Sequence, residues 1–187
     1  MDIHEFIRRY LEKGKEGMLA TIVAKTARGA GAKMFVGEDG KAFGTIGGGR
    51  LESAVCRRAI KMMGNGRASL YSVNPNGIGR EKIAACGGDI QILLEPVTTK
   101  HVDLYRKIEN LEKECRKGVV VTKFGKNIFT KSVLAEDMSI TGDRINHKIV
   151  DWCRCLLDQK KPVLVGGVLA EPLRQGHGPA VELLLKN

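Results

Sequence analysis

An apolar strand turns directly into a helix within Phe43-Gly44-Thr45-Ile46-Gly47-Gly48-Gly49-Arg50-Leu51-Glu52-Ser53-Ala54-Val55. Three consecutive glycines allow backbone angles that other residues avoid, and they let a ligand approach the main chain closely. The helix is predicted over residues 50–63, and its first N–H groups lack partners within the helix and lie at the positive end of its dipole. Residues 44–52, which we call the glycine corner, are therefore suited to binding an anion.

The composition is that of a folded protein with a hydrophobic core. Its 187 residues are 43% hydrophobic and 28% charged, which is enough for one domain or two small ones without disulfides. No apolar run is long enough to span a bilayer, and the amino terminus resembles an amphipathic helix rather than a signal peptide. We therefore expect a cytoplasmic protein with no membrane partner. The five cysteines are odd in number and scattered, which favours reduced thiols.

The basic character of the chain favours an anionic partner. A formal net charge of +10 suits a phosphorylated small molecule, a nucleic acid or an acidic protein. Only 5% of the residues are aromatic and no nucleic-acid-binding module is recognised, so a nucleic-acid partner is not expected. Most of the basic residues are interpreted as solvated faces of helices.

Hydrophobic periodicity predicts strands and helices on both sides of the corner. An amphipathic helix is predicted over residues 2–13 with Asp2 as its N-cap, followed by a buried strand over residues 18–24. Residues 34–46 read as a hairpin whose second strand leads into the corner. The helix after the corner buries one face and is basic on the other, and two further strands follow at 69–73 and 90–94.

The second half of the chain repeats the first. A charged helix over residues 98–117 is predicted to face solvent and to join the halves, with its apolar positions at Leu104, Ile108, Leu111 and Cys115. Three segments then recur in order: Gly17–Thr21 as Gly118–Thr122, Lys33–Gly44 as Lys131–Gly142, and Leu94–Val97 as Ala170–Leu173. The second copy has no counterpart of Gly47–Gly49. Chance similarity between hairpins is the alternative.

The repeat leads to a prediction of the fold and of its division. We expect a mixed α/β (α+β) fold in which two similar strand-hairpin-helix halves pack together. Residues 1–97 would form the ligand-binding half, and residues 98–187 a degenerate repeat that serves as scaffold. A Rossmann fold is not expected, because Glu52 occupies the position of the third glycine in G-x-G-x-x-G and its carboxylate would repel a pyrophosphate.

Signatures of known enzyme classes are missing from the sequence. It contains no P-loop, no His-Glu-x-x-His motif, no paired C-x-x-C set and no nucleophile elbow. Cys86 differs from the other thiols because it precedes Gly87-Gly88 at the start of a strand. An accessible thiolate there could ligate a soft metal or carry sulfur, or the residue could simply fill a tight turn. Glu52 could complement the helix dipole or accept N–H groups of a ligand.

The motifs together resemble a known family. Gly31–Met34, Asp39-Gly40, Gly44–Glu52 and Cys86–Pro96 look like the amino-terminal domain of the xanthine dehydrogenase accessory proteins (XdhC/CoxI), without the carboxy-terminal Rossmann domain of longer members. The resemblance implies a chaperone that binds the molybdenum cofactor (molybdopterin) as cargo. Such a protein protects the cofactor during sulfuration by a cysteine desulfurase and delivers it to a xanthine dehydrogenase-type molybdenum hydroxylase.

The resemblance also implies which residues bind the cargo, and it leaves other functions open. The binding role falls on Gly47, Gly48, Gly49, Glu52, Cys86, Gly87 and Gly88, with Arg50 as a cationic neighbour and Cys86 as the contact to molybdenum or its sulfur. Some members carry a cysteine where this chain has Arg50. We expect a homodimer that acts as a maturation factor rather than an enzyme. The alternatives are a cysteine-dependent enzyme for a phosphorylated pterin or nucleotide, and a basic nucleic-acid-binding module.

Overall fold

The computed structural model of the chain describes residues 1–23, 30–73 and 90–173. Within these ranges no helix is both long and apolar enough to cross a membrane. The elements, in chain order, are α1 (Ile3–Leu11), β1 (Gly17–Ile22), β2 (Lys33–Gly37), β3 (Ala42–Gly44), α2 (Gly49–Met62), β4 (Ser69–Val73), β5 (Ile90–Val97), a 3-10 helix (Thr99–His101), α3 (Val102–Lys113), β6 (Gly118–Gly125), β7 (Ile128–Ala135), β8 (Ile140–Gly142), α4 (His147–Arg154), β9 (Val163–Val165) and β10 (Val168–Pro172).

The strands form two five-stranded sheets with equivalent topology. The first sheet has the order β3-β2-β1-β5-β4, and the second has the order β8-β7-β6-β10-β9. All strand pairs among the described residues are antiparallel, unlike the parallel sheet of a dinucleotide-binding fold. The mixed α/β class predicted from the sequence is confirmed.

The register of the strands is also repeated. Each sheet follows the element order helix, three strands, helix, two strands. Equivalent residues lie opposite each other in both sheets: Thr21 opposite Lys33 and Leu19 opposite Glu95 in the first, Thr122 opposite Lys131 and Val120 opposite Glu171 in the second. The segments aligned in sequence therefore occupy equivalent positions in space.

Three hydrophobic clusters hold these layers together. Helix α2 covers the outer face of the first sheet through Leu51, Val55 and Ala59, and α4 covers the outer face of the second. The inner faces of both sheets share a central core with α1 and α3. The inner face of each sheet is therefore buried inside the molecule.

The helix predicted to face solvent over residues 98–117 instead has one face in the central core. Leu104, Tyr105 and Ile108 of α3 are 2% exposed or less. Glu109 is 5% exposed, and it is ion-paired with Arg8 of α1. The prediction for Cys115 was wrong, because α3 ends at Lys113 and Cys115 is an exposed residue with φ 54 beyond that end. A residue in this left-handed conformation commonly closes a helix.

Two lysine–glutamate pairs, which we call the exchanged pairs, connect the sheets. Each lysine donates to a threonine of its own sheet at 3.1 Å and to a glutamate of the opposite sheet: Lys33 to Thr21 and Glu171, Lys131 to Thr122 and Glu95. The side chains of Lys131 and Glu95 are 2% and 1% exposed, and those of Lys33 and Glu171 are 14% and 11% exposed. Separating the sheets would break both pairs at once.

Candidate functional site

The glycine corner has the predicted strand-to-helix geometry. Strand β3 ends at Gly44, and α2 begins at Gly49 with Gly48 as its N-cap. The φ angles of Gly47, Gly48 and Gly49 are 126°, 79° and 59°. Gly48 combines its φ of 79° with a ψ of 174°, a region of backbone space that is essentially restricted to glycine. The shape of the turn therefore depends on the absence of side chains.

Glu52 closes the corner from the helix side. Its Oε1 accepts hydrogen bonds from the Thr45 hydroxyl at 2.6 Å, from the N–H of Ile46 at 3.1 Å and from the N–H of Gly48 at 2.9 Å. The bond from Thr45, assisted by these backbone N–H groups, lowers the pKa of Glu52 below its ordinary value despite partial burial. The ionised carboxylate thus fills part of the anion site that the sequence predicts for a ligand.

The rest of the helix start is open. The N–H groups of Gly49, Arg50 and Leu51 belong to the first turn of α2, which offers them no acceptor within the helix. A methyl group built on Gly48 or Gly49 would meet no atom within 4 Å. The space in front of the corner can therefore admit a ligand, with the exposed Arg50 beside it.

We expect Gly48→Ala to destabilise the protein by about 1–3 kcal/mol, because a side chain would force this backbone conformation into strain. The matched control is Gly125→Ala, since Gly125 also faces open space but does not have a left-handed φ. Urea unfolding of both variants measures the difference. Equal effects of the two substitutions would show that the corner is not held in this conformation.

Three further predicted site residues, Cys86, Gly87 and Gly88, lie outside the described residues, and their roles stay predictions. The first described residue after them is Ile90, at the start of β5. The register of the first sheet locates it, because Ile22 pairs with Ile92, and Val73 pairs with Ile90. The start of β5 and the end of β3 consequently lie at the same end of the sheet.

A cavity of about 660 Å³ lies beside the corner, between the two sheets. Its wall includes the polar or glycine positions Gly31, Lys33, Gly44, Thr45, Lys131 and Glu171. Thr45 belongs to both the cavity wall and the corner, since its hydroxyl bonds to Glu52. Sequence reasoning did not select Lys33 and Glu171 as site residues. The available signal was that both copies of the repeat keep a lysine and a glutamate at these positions.

Another part of the cavity wall carries Asp2, His4 and Glu112. The Nδ1 atom of His4 lies 3.0 Å from both carboxylate oxygens of Glu112, and the Asp2 carboxylate accepts the N–H of His4 at 2.8 Å. Their side-chain ligand atoms all lie within 4.8 Å of one another, a spacing that would suit a metal ion. The same contacts are explained by the N-cap of α1 and by a pair between α1 and α3.

Known proteins resemble this chain in sequence and in fold. Residues 10–74, which include the whole glycine corner, match the model of the XdhC and CoxI family. The molybdenum cofactor insertion chaperone PaoD of Escherichia coli (strain K12) is 35% identical over 100 residues. That alignment covers 50% of this chain and 31% of the relative, so the chain spans about a third of the curated relative that it matches.

A solved structure matches nearly the whole chain in fold. The crystal structure of a xanthine dehydrogenase from Bacillus halodurans superposes with a TM-score of 0.70 at 19% identity, over 92% of this chain and 53% of that one. At this identity the match concerns the fold alone. The family match and the relative from Escherichia coli concern sequence, and the family match includes the motifs of the corner. Residues 10–74, with the glycine corner among them, are therefore similar in sequence to the XdhC and CoxI family.

Proposed function

We propose that this protein is a molybdenum-cofactor chaperone, which binds the cofactor as cargo and delivers it to a molybdenum hydroxylase. The observation that carries the proposal is the open glycine corner within the segment that matches the family. The relative named as a molybdenum cofactor insertion chaperone supports the same cargo. Sulfuration with a cysteine desulfurase is a further part of the proposal, as is the xanthine dehydrogenase type of the client.

The corner suits the anionic groups of such a cargo. The N–H groups at the start of α2 and the positive end of its dipole attract a phosphate or an oxygen-rich metal centre. Arg50 and the exposed Arg57 and Lys61 add positive charge on the same helix. Glu52 holds Ile46 and Gly48 in place through Oε1, and its Oε2 can accept an N–H group of the ligand.

We infer that Cys86, which lies outside the described residues, forms the opposite wall of the site. Strands β3 and β5 are separated by three strand spacings, about 14 Å. Cys86 precedes Ile90 by four residues, which can span up to about 14 Å. A cargo held at the end of the first sheet could therefore contact both the corner and the Cys86 thiol.

The two halves take different roles in this proposal. Residues 1–97 carry the corner that binds the anionic groups of the cargo, and residues 98–187 support it as the scaffold, because the helix start after Gly142 has no glycine triplet. The homodimer that we expect would need a surface other than the inner faces of the sheets, since these faces already pack against each other within the chain. The hydroxylase client would approach where the cargo is released, at the end of the first sheet.

Protein purified without oxygen from cells that make the cofactor should contain molybdenum and pterin in nearly stoichiometric amounts. Cys86→Ala should lower this loading severalfold, because it removes the proposed contact to the metal or its sulfur. Cys155→Ala is the matched control, since Cys155 is an exposed thiol of the second half. Metal analysis and the fluorescence of the released pterin measure the loading.

Two results would contradict this proposal. Absence of both molybdenum and pterin from the unaltered protein would exclude the carrier function. Turnover of a phosphorylated pterin or nucleotide, with a covalent adduct on Cys86, would favour the cysteine-dependent enzyme instead.

A further inference from the structure

The exchanged pairs are equivalent in position but differ in access to the cavity. Lys33 and Glu171 both line the cavity, and their side chains are 14% and 11% exposed. Only Lys131 of the other pair reaches the wall, and its side chain is 2% exposed. Both residues of the first pair are thus available to a ligand, whereas Glu95 of the second pair is not part of the cavity wall.

We propose that the cavity binds the heterocyclic ring of a pterin, with the lactam edge of the ring on Lys33 and Glu171. This assignment rests on the proposed function, and it adds a ring-binding site to the anion site at the corner. The lactam edge of a pterin presents a carbonyl acceptor at C4 beside the N3–H and 2-amino donors. Lys33 and Glu171 present an N–H donor beside a carboxylate acceptor, which is the complementary arrangement.

The hydrogen-bonding capacity of the pair is not exhausted by its own contacts. The Lys33 ammonium has three N–H donors, of which two are directed at Thr21 and Glu171. Glu171 bonds to Lys33 through Oε1, so Oε2 remains as an acceptor for the ligand. One donor and one acceptor can therefore face the same ligand edge.

The charge state of Glu171 suits an acceptor of N–H groups. Burial raises the pKa of Glu171, but the ammonium groups of Lys33 and Lys131 lower it by more, so the pKa lies below its ordinary value. The carboxylate is therefore ionised at neutral pH. Hydrogen bonds to an ionised group in a partly buried site are stronger than those between neutral groups.

Part of the remaining wall suits a flat ring. Leu19, Phe43 and Val120 provide apolar surface, and a volume of about 660 Å³ lies in the usual range for small-molecule sites. Thr45 connects the cavity to the glycine corner. A ring bound in the cavity would accordingly leave the corner for the charged groups of the same cargo.

Binding of 6-hydroxymethylpterin to the purified full chain tests the ring site. We expect a Kd on the order of tens of micromolar by fluorescence titration, as suits a ligand of this size. The 2,4-diamino analogue should bind at least about tenfold more weakly, because it places an amino donor against Lys33 and a bare ring nitrogen against Glu171. This comparison uses the unaltered protein and does not depend on the folding of a variant.

An ion pair outside the cavity wall supplies the matched control. Lys33→Met/Glu171→Leu should weaken pterin binding at least about tenfold, whereas Lys117→Met/Asp158→Leu should leave it within about twofold of the parent. Equal affinity for the diamino analogue, unchanged affinity in the first double variant, or no binding at millimolar pterin would overturn the ring site. Molybdenum content measured in the same preparations separates the two proposals. If the parent protein contains molybdenum but binds the pterin and the diamino analogue equally well, only the ring site is contradicted. If the parent protein contains no molybdenum, the chaperone function is contradicted.

Discussion

Lys131→Met should destabilise the folded protein by about 3–5 kcal/mol, which is the usual cost of removing one partner from a buried ion pair. The substitution leaves the carboxylate of Glu95, whose side chain is 1% exposed, without its lysine. The Oε2 atom of Glu95 has no hydrogen-bond partner among the described residues, so the charge would have little other compensation. Urea unfolding at pH 7 measures the change in the free energy of unfolding.

The controls follow from the two exchanged pairs. Lys131→Met/Glu95→Leu should recover most of the lost stability, because apolar residues of similar size can replace a buried pair at little cost. Lys33→Met should cost less than Lys131→Met, since its partner Glu171 is more accessible to water. A double variant as unstable as Lys131→Met would show that the side chains are needed for packing rather than for charge compensation.

Acidification from pH 7 to pH 4 should remove about 3 kcal/mol of stability through His101 alone. Burial, assisted by the charges of Lys100 and Lys131, lowers the pKa of His101 to about 4, and Asp143 opposes this shift only in part. The unfolded chain binds the proton near pH 6.5, whereas the folded protein resists it until about pH 4. The contribution of neutral His101 to the stability of the fold is therefore fully present above pH 6.5, and it is lost as the pH falls from 6.5 to about 4.

The geometry around His101 explains why it stays neutral. Its Nδ1 accepts the N–H of Thr98 at 3.0 Å at the start of the 3-10 helix, and the residue is 3% exposed. His101→Gln keeps an acceptor for this N–H but cannot bind the proton. The difference in stability between parent and variant should consequently depend on pH between 7 and 4. His147→Gln, at an exposed histidine, should show no such dependence, and a flat difference for His101→Gln would contradict the prediction.

Local sequence patterns predicted the first half of the fold well. Apolar periodicity located α1 and α2, and Asp2 caps α1 as its position suggested. The hairpin and the glycine triplet were recognisable because turns and left-handed angles demand particular residues over a few positions. The contact of Glu52 with Gly48 could also have been inferred, since the two residues are four positions apart on one helix start.

Features that depend on distant partners were harder to predict. The charges on α3 suggested exposure, yet Glu109 is buried by pairing with Arg8, which lies 101 positions away. Lys33 and Glu171 are 138 positions apart, and a charged residue in a strand carries no local sign of such a partner. Only the internal repeat connected these positions. It showed that the two lysines are equivalent to each other, as are the two glutamates. It did not reveal that each lysine bonds to the glutamate of the other copy.

The crossed bonding of the exchanged pairs has a consequence for how the chain can evolve. Two identical subunits around a twofold axis make the same contact twice, each subunit reaching the other with the same residue. In such a homodimer every mutation would change both sites together. In a single chain the two lysines, and the two glutamates, are encoded separately. One copy can thus keep the glycines of the corner while the other loses them, without disturbing the symmetric contact that holds the two together.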